Sequence, residues 1–258
     1  QHLSKKKTIY LNYLPLWNFL IFLLLPKKTL LGPITGGAYY GNSKSLNSFI
    51  RRYIFPFFYL ISLKIIEKKY SKVIFSTNLL KSYINTKNKY LFNYCLNIYE
   101  EKLFKQKKKY DLIFYYRPHK NRNNFEQKKL IKKLVDNYYN VIIIGDNPYI
   151  KKSLYLGNLT RDNALKYIQQ SKFAINNNEN IYSLFCLDAL SSGTKVINFR
   201  NKKVKENFFN NGAIIQKKID NVDKQFLWLK KLLESRNRKK ISANKNFFNN
   251  KKKIKNYF

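Results

Sequence analysis

The chain has 258 residues, of which 45% are hydrophobic and 17% aromatic, a composition that supplies a core and excludes disorder throughout. The length suits one large domain or two modest ones. A net charge of +37 predicts anionic partners such as nucleotides or lipid headgroups. A dedicated nucleic-acid surface is the alternative, but the abundance of Lys, Asn, Ile, Phe and Tyr also fits an A/T-rich gene, and no nucleic-acid partner is expected.

The cysteines indicate whether the chain binds metal or forms disulfides, and the first residue indicates whether the protein continues before it. Cys95 and Cys186 lie in apolar surroundings, with neither metal-ligand spacing nor a disulfide framework. We therefore expect two buried thiols, no metal and no cofactor. The chain begins at Gln1 and contains no Met, which favours a protein that continues before this residue.

The first half of the chain carries strand and helix signals in alternation. Residues 14–26, LPLWNFLIFLLLP, are fewer than the roughly 20 apolar residues that cross a bilayer. They predict a buried helix, with an interfacial membrane contact as the alternative. A short strand then breaks at Gly32 and Pro33 into a glycine-containing loop. Residues 46–70 have a helical pattern broken at Pro56, and residues 71–77, SKVIFST, are typical of a strand.

The second half alternates more regularly. Apolar runs predict strands, and the stretches between them predict helices; the strands fall at 111–117, 140–145, 153–159, 172–177 and 194–199, the helices at 125–139, 160–171 and 183–193. Such alternation over short connections predicts a parallel sheet with helices on both faces. Ligands of these sheets bind at the carboxyl ends of the strands, which here carry polar and basic residues.

One loop at such an end is rich in cations. Arg117, Lys120 and Arg122 follow the first of these strands. The planar guanidinium fork of Arg suits phosphate oxygens, so the loop is a candidate diphosphate site. Three solvated charges in a very basic chain are the alternative.

The helix near residue 183 offers a second anion site. Its first turn presents N–H groups from Tyr182, Ser183 and Leu184, which attract anions together with the helix dipole. Asp188 lies deeper in this apolar helix, where a carboxylate needs a partner and could accept from ribose hydroxyls. Ser191-Ser192-Gly193 predicts the end of the helix, with Gly in the left-handed conformation.

The order of these stretches resembles the nucleotide-sugar-binding domain of GT-B-fold glycosyltransferases, in particular the retaining group called family 4. The resemblance rests on DLIFYYRPHKNRNN (111–124), VIIIGDNP (141–148), LYLGNLTRDNALKYIQQSKFAI (154–175) and ENIYSLFCLDALSSGTKVI (179–197). More weakly, LLGPITGGAYY (30–40) is similar to the Gly-Pro-x-Gly-Gly segment of the family's acceptor domains. The resemblance implies a metal-independent sugar transfer.

The family's pair of glutamates falls on altered residues here. The second glutamate matches Asp188, whereas the first falls on Asn180, with Glu179 one residue earlier. The resemblance therefore assigns the catalytic position to Glu179 and Asn180. Because the family position is acidic, Asn180 leaves a second hypothesis open: a relative that has the fold but has lost turnover.

The remaining assignments follow the same motifs. The resemblance implies that donor contacts come from Arg117, Lys120, Arg122, Gly145, Asn158, Leu159, Tyr182, Ser183, Leu184 and Asp188. Gly36 and Gly37 fall at the acceptor side or the domain interface.

The combined prediction is an α/β, GT-B-like chain with two Rossmann-like parallel-sheet domains, of which the N-terminal one is incomplete. Residues 1–95 form a partial acceptor-side domain, 96–110 a linker, 111–235 the donor domain and 236–258 a basic tail. The chain would transfer a sugar from a nucleotide-sugar donor to a glycan or lipid-linked acceptor, with retention. It would be cytoplasmic, with a possible peripheral contact between the tail and anionic lipid at the inner membrane face. A catalytically impaired relative and a basic nucleic-acid-binding protein are the alternatives.

Overall fold

The computed structural model describes residues 9–10, 14–35, 46–76, 80, 83–84, 90–92, 106–118, 124–176, 183–199 and 213–235 of the chain. The chain divides into two units, Gln1–Ile98 and Tyr99–Phe258. Each unit is built around its own parallel sheet, as the alternation of strand and helix signals predicts. The predictions for Cys95 and for the tail 236–258 lie outside the described residues.

The first unit has a sheet with one helical layer. Its elements in chain order are β1 (Ile9–Tyr10), β2 (Leu14–Pro15), α1 (Phe19–Leu24), β3 (Leu30–Thr35), α2 (Leu46–Phe49), a π-helical segment (Ile50–Ile54), α3 (Phe55–Lys69), β4 (Val73–Phe75) and β5 (Tyr90–Phe92). The strand order is β1-β3-β4-β5, β2 also pairs with β3, and every pairing is parallel. One apolar core joins the inner faces of α1 and α3 to the sheet.

Pro56 lies inside the predicted helix without breaking it. Helix α3 starts at Phe55, so Pro56 occupies its first turn, a position where proline is tolerated. The irregularity comes just before it, in the π-helical segment. A proline inside a helical pattern therefore marks a change of helix type here, and the chain stays helical on both sides.

The prediction of a buried helix for the apolar run is wrong for most of its helical part. Helix α1 buries Phe22, whereas Leu20, Leu23 and Leu24 are exposed. The reason is that α1 lies in a single layer, so one face meets the sheet and the opposite face meets solvent. Among the described residues, no helix has the length and apolar character needed to cross a membrane.

The second unit contains a larger, doubly wound sheet. Its elements are β6 (Tyr110–Tyr116), α4 (Asn124–Asp136), β7 (Val141–Gly145), β8 (Leu154–Tyr155), α5 (Arg161–Gln170), β9 (Ser171–Ile175), α6 (Leu184–Ser191), β10 (Lys195–Asn198), β11 (Ile214–Gln216) and α7 (Val222–Glu234). The strand order is β8-β7-β6-β9-β10-β11, and all pairings are parallel. Numbered along the unit, this is the 3-2-1-4-5-6 order of Rossmann folds.

Helices cover both faces of this sheet, which confirms the prediction. Successive residues of a strand point to opposite faces, and β6 shows both environments. Phe114 joins the core that includes Leu134 of α4 and Leu229 of α7. Tyr115 points the other way and stacks on Phe185 of α6, with ring centroids 5.9 Å apart. The sheet is thus a central layer between α4 with α7 and α5 with α6.

Lys108, in the segment that leads into β6, has an unusual environment. Its Nζ donates to Ser171 O at 2.7 Å and to Thr194 Oγ1 at 3.2 Å. Burial lowers the pKa of Lys108 from 10.5 to about 8, because the charged amine loses hydration. We expect trace acetylation of Lys108 to rise with pH around a midpoint near 8, since only the uncharged amine reacts. Peptide mapping over a pH series measures this pKa, and a midpoint at the ordinary lysine value contradicts it.

Candidate functional site

The crevice of a doubly wound sheet lies where the strand order reverses. In the second unit this point is between β6 and β9, which are neighbours with Phe114 paired to Ile175. The residues that leave these strands at the carboxyl edge are Arg117, which is exposed, and Asn176, which is buried. The topology therefore brings the predicted Arg117 to the edge where ligands of such folds bind.

Gly145 ends β7 beside this point and holds two strands close together. Its φ is +97°, and a Cβ at this residue would lie 2.4 Å from Tyr116 O. The next residue, Asp146, donates its N–H to the same carbonyl at 2.8 Å. Burial, and then the negative charge of Asp146, raises the pKa of Tyr116, so this phenol stays neutral. Gly145 is thus required by the backbone packing, whatever contact it makes with a donor.

The predicted Asn158 and Leu159 follow β8 at the same edge. Gly145 donates its N–H to Gly157 O at 2.9 Å, and Tyr155 Oη donates to Gly145 O at 3.1 Å. These two bonds fix the turn that precedes the pair. Asn158 is exposed and Leu159 is half-buried, so both are accessible at the carboxyl edge of the sheet.

Helix α6 starts on the opposite side of the switch point. Ser183 is its N-cap and accepts the Cys186 N–H with its hydroxyl at 3.3 Å, which satisfies one of the free donors of the first turn. Leu184 is exposed beside it, and the next residue, Phe185, stacks on Tyr115 of β6. This ring contact ties the first turn of α6 to the strand that carries Arg117. The positive end of a helix dipole and a guanidinium therefore flank one crevice.

The partner that the buried Asp188 carboxylate requires is Arg161. Asp188 is 6% exposed, and its Oδ1 lies 2.9 Å from Arg161 Nη2 at the start of α5. Nothing in the sequence singles out this cation among 51 basic residues, because the pairing depends on how α5 packs against α6. Thr160 is the N-cap residue of α5, although its side chain makes no capping hydrogen bond.

A buried polar cluster at the carboxyl ends of β9 and β10 was also missed from the sequence. Cys186 Sγ donates to Asn176 Oδ1 at 3.1 Å, and Asn176 Nδ2 donates to Asn198 Oδ1 at 3.4 Å. All three side chains are buried, and the buried Cys186 thiol confirms the prediction for this cysteine. The signal for the cluster was an Asn at the end of each apolar strand, which is easily taken for the start of a loop.

The end of α6 is as predicted. The helix finishes at Ser191, Gly193 has a φ of +75°, and Thr194 donates its N–H back to Ala189 O at 2.9 Å. Gly193 therefore acts as the left-handed residue of a helix C-terminus.

Several predicted site residues lie outside the described part of the chain. They are the catalytic candidates Glu179 and Asn180, the donor-site candidates Lys120, Arg122 and Tyr182, and the acceptor-side candidates Gly36 and Gly37. Within the described ranges, no group of three or more His, Cys, Asp or Glu residues could hold a metal ion. The roles of these residues and the independence from metal stay predictions.

The described residues at the carboxyl edge of the sheet include groups that suit an anionic ligand. Arg117 supplies an exposed cation, and the first turn of α6 supplies a positive dipole end. Asn158 adds an exposed polar group at this edge, and exposed Leu184 adds an apolar surface. A phosphate group with an attached polar and apolar body matches this combination.

Comparison with known proteins supports the architecture. No protein-family model matches the sequence, and no curated protein matches it. Among solved structures, a GtfA/B complex superposes with a TM-score of 0.52 at 11% identity, covering 90% of this chain and 50% of that one. An S. aureus TarM mutant in complex with fondaparinux, alpha-GlcNAc-glycerol and UDP superposes with a TM-score of 0.46 at 14% identity, covering 76% of this chain and 42% of that one. Methanocaldococcus jannaschii UDP-GlcNAc 2-epimerase with UDP-GlcNAc and UDP superposes with a TM-score of 0.47 at 17% identity, covering 77% of this chain and 64% of that one.

The likeness to the GtfA/B complex bears on the fold and on nothing finer. The chain spans half the length of the GtfA/B chain that it matches. At 11% identity, a structural likeness does not carry over substrates or activity. The predicted fold is confirmed: the chain has an α/β, GT-B-like fold in which the described residues of each unit form a Rossmann-like parallel sheet.

Proposed function

We propose that the chain is part of a glycosyltransferase that moves a sugar from a nucleotide-sugar donor to a glycan or lipid-linked acceptor, with retention. The single observation behind this proposal is the convergence of Arg117 and the start of α6 on the switch point between β6 and β9. This convergence lies in a GT-B-like fold, and in this proposal the second unit is the donor domain.

The chemistry of the donor explains why such a crevice would be needed. When the bond between a sugar and a diphosphate breaks, the leaving diphosphate gains negative charge. Fixed cations and helix N–H groups that face this charge lower the barrier, because they stabilise the transition state more than the ground state. In this proposal Arg117 binds the diphosphate oxygens and the first turn of α6 receives the remaining charge.

The sugar and the acceptor would occupy the positions that the sequence predicts. Glu179 and Asn180 would face the transferred sugar, and Gly36 and Gly37 would line the acceptor side. Asn180 stands where the resembling family has an acid, so a chain that binds the donor without turnover is the second candidate. Asn180→Glu separates the two: a gain in hydrolysis of the bound nucleotide sugar favours the impaired relative.

Binding of a nucleoside diphosphate tests the donor site. We expect calorimetry with UDP, GDP and ADP to show binding of at least one, and Arg117→Ala to weaken it by about 10- to 100-fold. The estimate follows from about 1.5–3 kcal/mol for a hydrogen bond to a charged group. Titrations in about 0.3 M salt suppress the contribution of the overall positive charge.

Lys132→Ala is the matched control, because it also removes one exposed positive charge. Lys132 lies in the last part of α4, toward the start of β7 and away from the carboxyl edge, so its loss should leave the affinity unchanged. Failure of all three nucleotides to bind, or equal effects of the two variants, would sink the donor-site assignment. Tight oligonucleotide binding that Arg117→Ala does not change would instead favour the nucleic-acid alternative.

A further inference from the structure

The first unit exposes an unusually apolar pair of helices. Leu20, Leu23 and Leu24 of α1 are all more than half exposed, with Leu24 at 80%. On α3, Phe57 is 63% exposed, and Leu60 also points to solvent. Large apolar side chains are usually buried, so a cluster of them at the surface indicates an interaction site.

These exposed residues belong to one surface because α1 and α3 lie side by side. Trp17 stacks on Phe55 with ring centroids 5.1 Å apart, and Phe19 stacks on Phe58 at 5.8 Å. At the other end, Tyr70 Oη donates to Phe22 O at 2.6 Å. We call the outward side of this layer the α1–α3 face; its members are Trp17, Leu20, Leu23, Leu24, Phe49, Tyr53, Phe57 and Leu60.

Two cations lie next to the apolar side chains of this face. Arg52 lies over the ring of Tyr53, with Cζ 5.3 Å from the ring centroid, and Lys64 continues the exposed row of Phe57 and Leu60 one turn further along α3. Glu67 is the only acidic residue in the sequence from 1 to 99. The α1–α3 face therefore combines exposed apolar side chains with adjacent positive charges in a part of the chain that has almost no acidic residues.

This combination identifies the kind of partner. Exposed Leu, Phe and Trp side chains beside Lys and Arg are what helices lying in a bilayer interface present: the apolar groups enter the acyl boundary and the cations meet anionic headgroups. The face has the wrong charge to bind a second copy of itself, since two such surfaces would place positive charges opposite each other. Among the described residues, no helix is both long enough and apolar enough to span a bilayer, so the two helices would lie in its interface.

We propose that the α1–α3 face docks the first unit onto an anionic lipid bilayer, with the helices lying in the interface. The proposal does not depend on the glycosyltransferase assignment. If both hold, the first unit would be placed at the surface where a lipid-linked acceptor resides.

The two tryptophans provide a direct test of insertion. Trp17 belongs to the α1–α3 face, whereas Trp228 of the second unit packs edge-on against Phe199 at 5.7 Å. Trp228→Phe leaves Trp17 as the sole tryptophan, and we expect vesicles that contain phosphatidylglycerol and brominated lipid to quench its emission. Trp17→Phe is the matched control, because the remaining Trp228 should not be quenched.

Vesicle flotation of the full chain tests the two components of the face, apolar and cationic. Phe57→Ser should lower the partition coefficient about tenfold, as expected for a side chain that loses roughly half of its burial. Leu227→Ser on α7 is the control, since Leu227 is 55% exposed outside the face. The double variant Arg52→Gln, Lys64→Gln should lower the partition coefficient about 30-fold, at about 1 kcal/mol per cation. The double variant Lys224→Gln, Lys230→Gln removes the same charge outside the face and should change the partition coefficient little.

Several results would overturn the proposal. Emission from Trp17 that brominated lipid leaves unchanged would show that the face does not enter the bilayer, and equal effects of the face and control variants would mean binding through overall charge alone. Sedimentation that reveals a dimer dispersed by Phe57→Ser would show that a second copy covers the face. Nucleotide binding by Phe57→Ser should equal that of the wild type, so failure of docking and failure of the donor site are separable.

Discussion

Gly145→Ala is expected to lower the free energy of unfolding of the second unit by about 3 kcal/mol, from overpacking and a left-handed backbone together. The new Cβ would lie 2.4 Å from Tyr116 O and 3.1 Å from the Tyr115 ring. Tyr116 O belongs to the central strand β6 and already accepts the Asp146 N–H at 2.8 Å. Strands β6 and β7 cannot move apart without weakening the hydrogen bond between Asp146 N–H and Tyr116 O. Urea unfolding followed by Trp228 fluorescence measures the loss.

Gly157→Ala is the matched control for this prediction. Gly157 also has a positive φ, +72°, but a Cβ added to it would meet no atom nearer than Tyr155 Oη at 3.8 Å. Alanine there meets backbone strain without a clash, so the expected loss is about 1 kcal/mol. Similar losses for the two variants would contradict the role given to the close approach of β6 and β7.

Arg161→Ala is expected to destabilise the second unit by about 2 kcal/mol, more than the roughly 1 kcal/mol expected for Asp188→Ala. The asymmetry follows from burial: the Asp188 side chain is almost inaccessible, whereas Arg161 is 43% exposed. Without Arg161, the buried carboxylate loses a charged donor; without Asp188, the guanidinium can turn to water. The partial exposure of Arg161 keeps both values below those of a fully buried pair.

A double-mutant cycle isolates the interaction between the two side chains. The double variant should lose less than the sum of the single variants, because the carboxylate is absent when its partner is removed. Lys133 and Asp223 form an ion pair in which both side chains are exposed, and Lys133→Ala should cost less than about 1 kcal/mol. Equal losses for Arg161→Ala and Lys133→Ala would rule out a special role for the buried pair.

The sequence predicted the second unit well because its signals are local. The all-buried strand β7, Val141–Gly145, is an unbroken β-branched run that ends at a glycine, and such a run suits a strand covered on both faces. The end of α6 was equally clear, since Gly193 follows the last apolar residues and has the positive φ that favours glycine. Alternation of these elements then predicted the parallel topology, including the edge to which Arg117 belongs.

Features that depend on packing between elements were not predictable. Hydrophobicity alone could not show that Leu24 faces solvent while Phe22 is buried, because that outcome depends on which layers cover α1. The Arg161–Asp188 pair likewise arises from the contact between α5 and α6. Asn176 and Asn198 resemble loop residues in the sequence, and only the folded sheet brings them together beneath the crevice.

The central position of β6 has a consequence for how Arg117 is presented. The strand has hydrogen-bonded neighbours on both sides, β7 and β9, and Leu112, Ile113 and Phe114 are fully buried. Its amides should therefore be among the last of the unit to exchange with deuterium. Arg117 directly follows this rigid strand, so its backbone loses little conformational entropy when the guanidinium binds a ligand. Part of the ordering that binding requires has already taken place during folding.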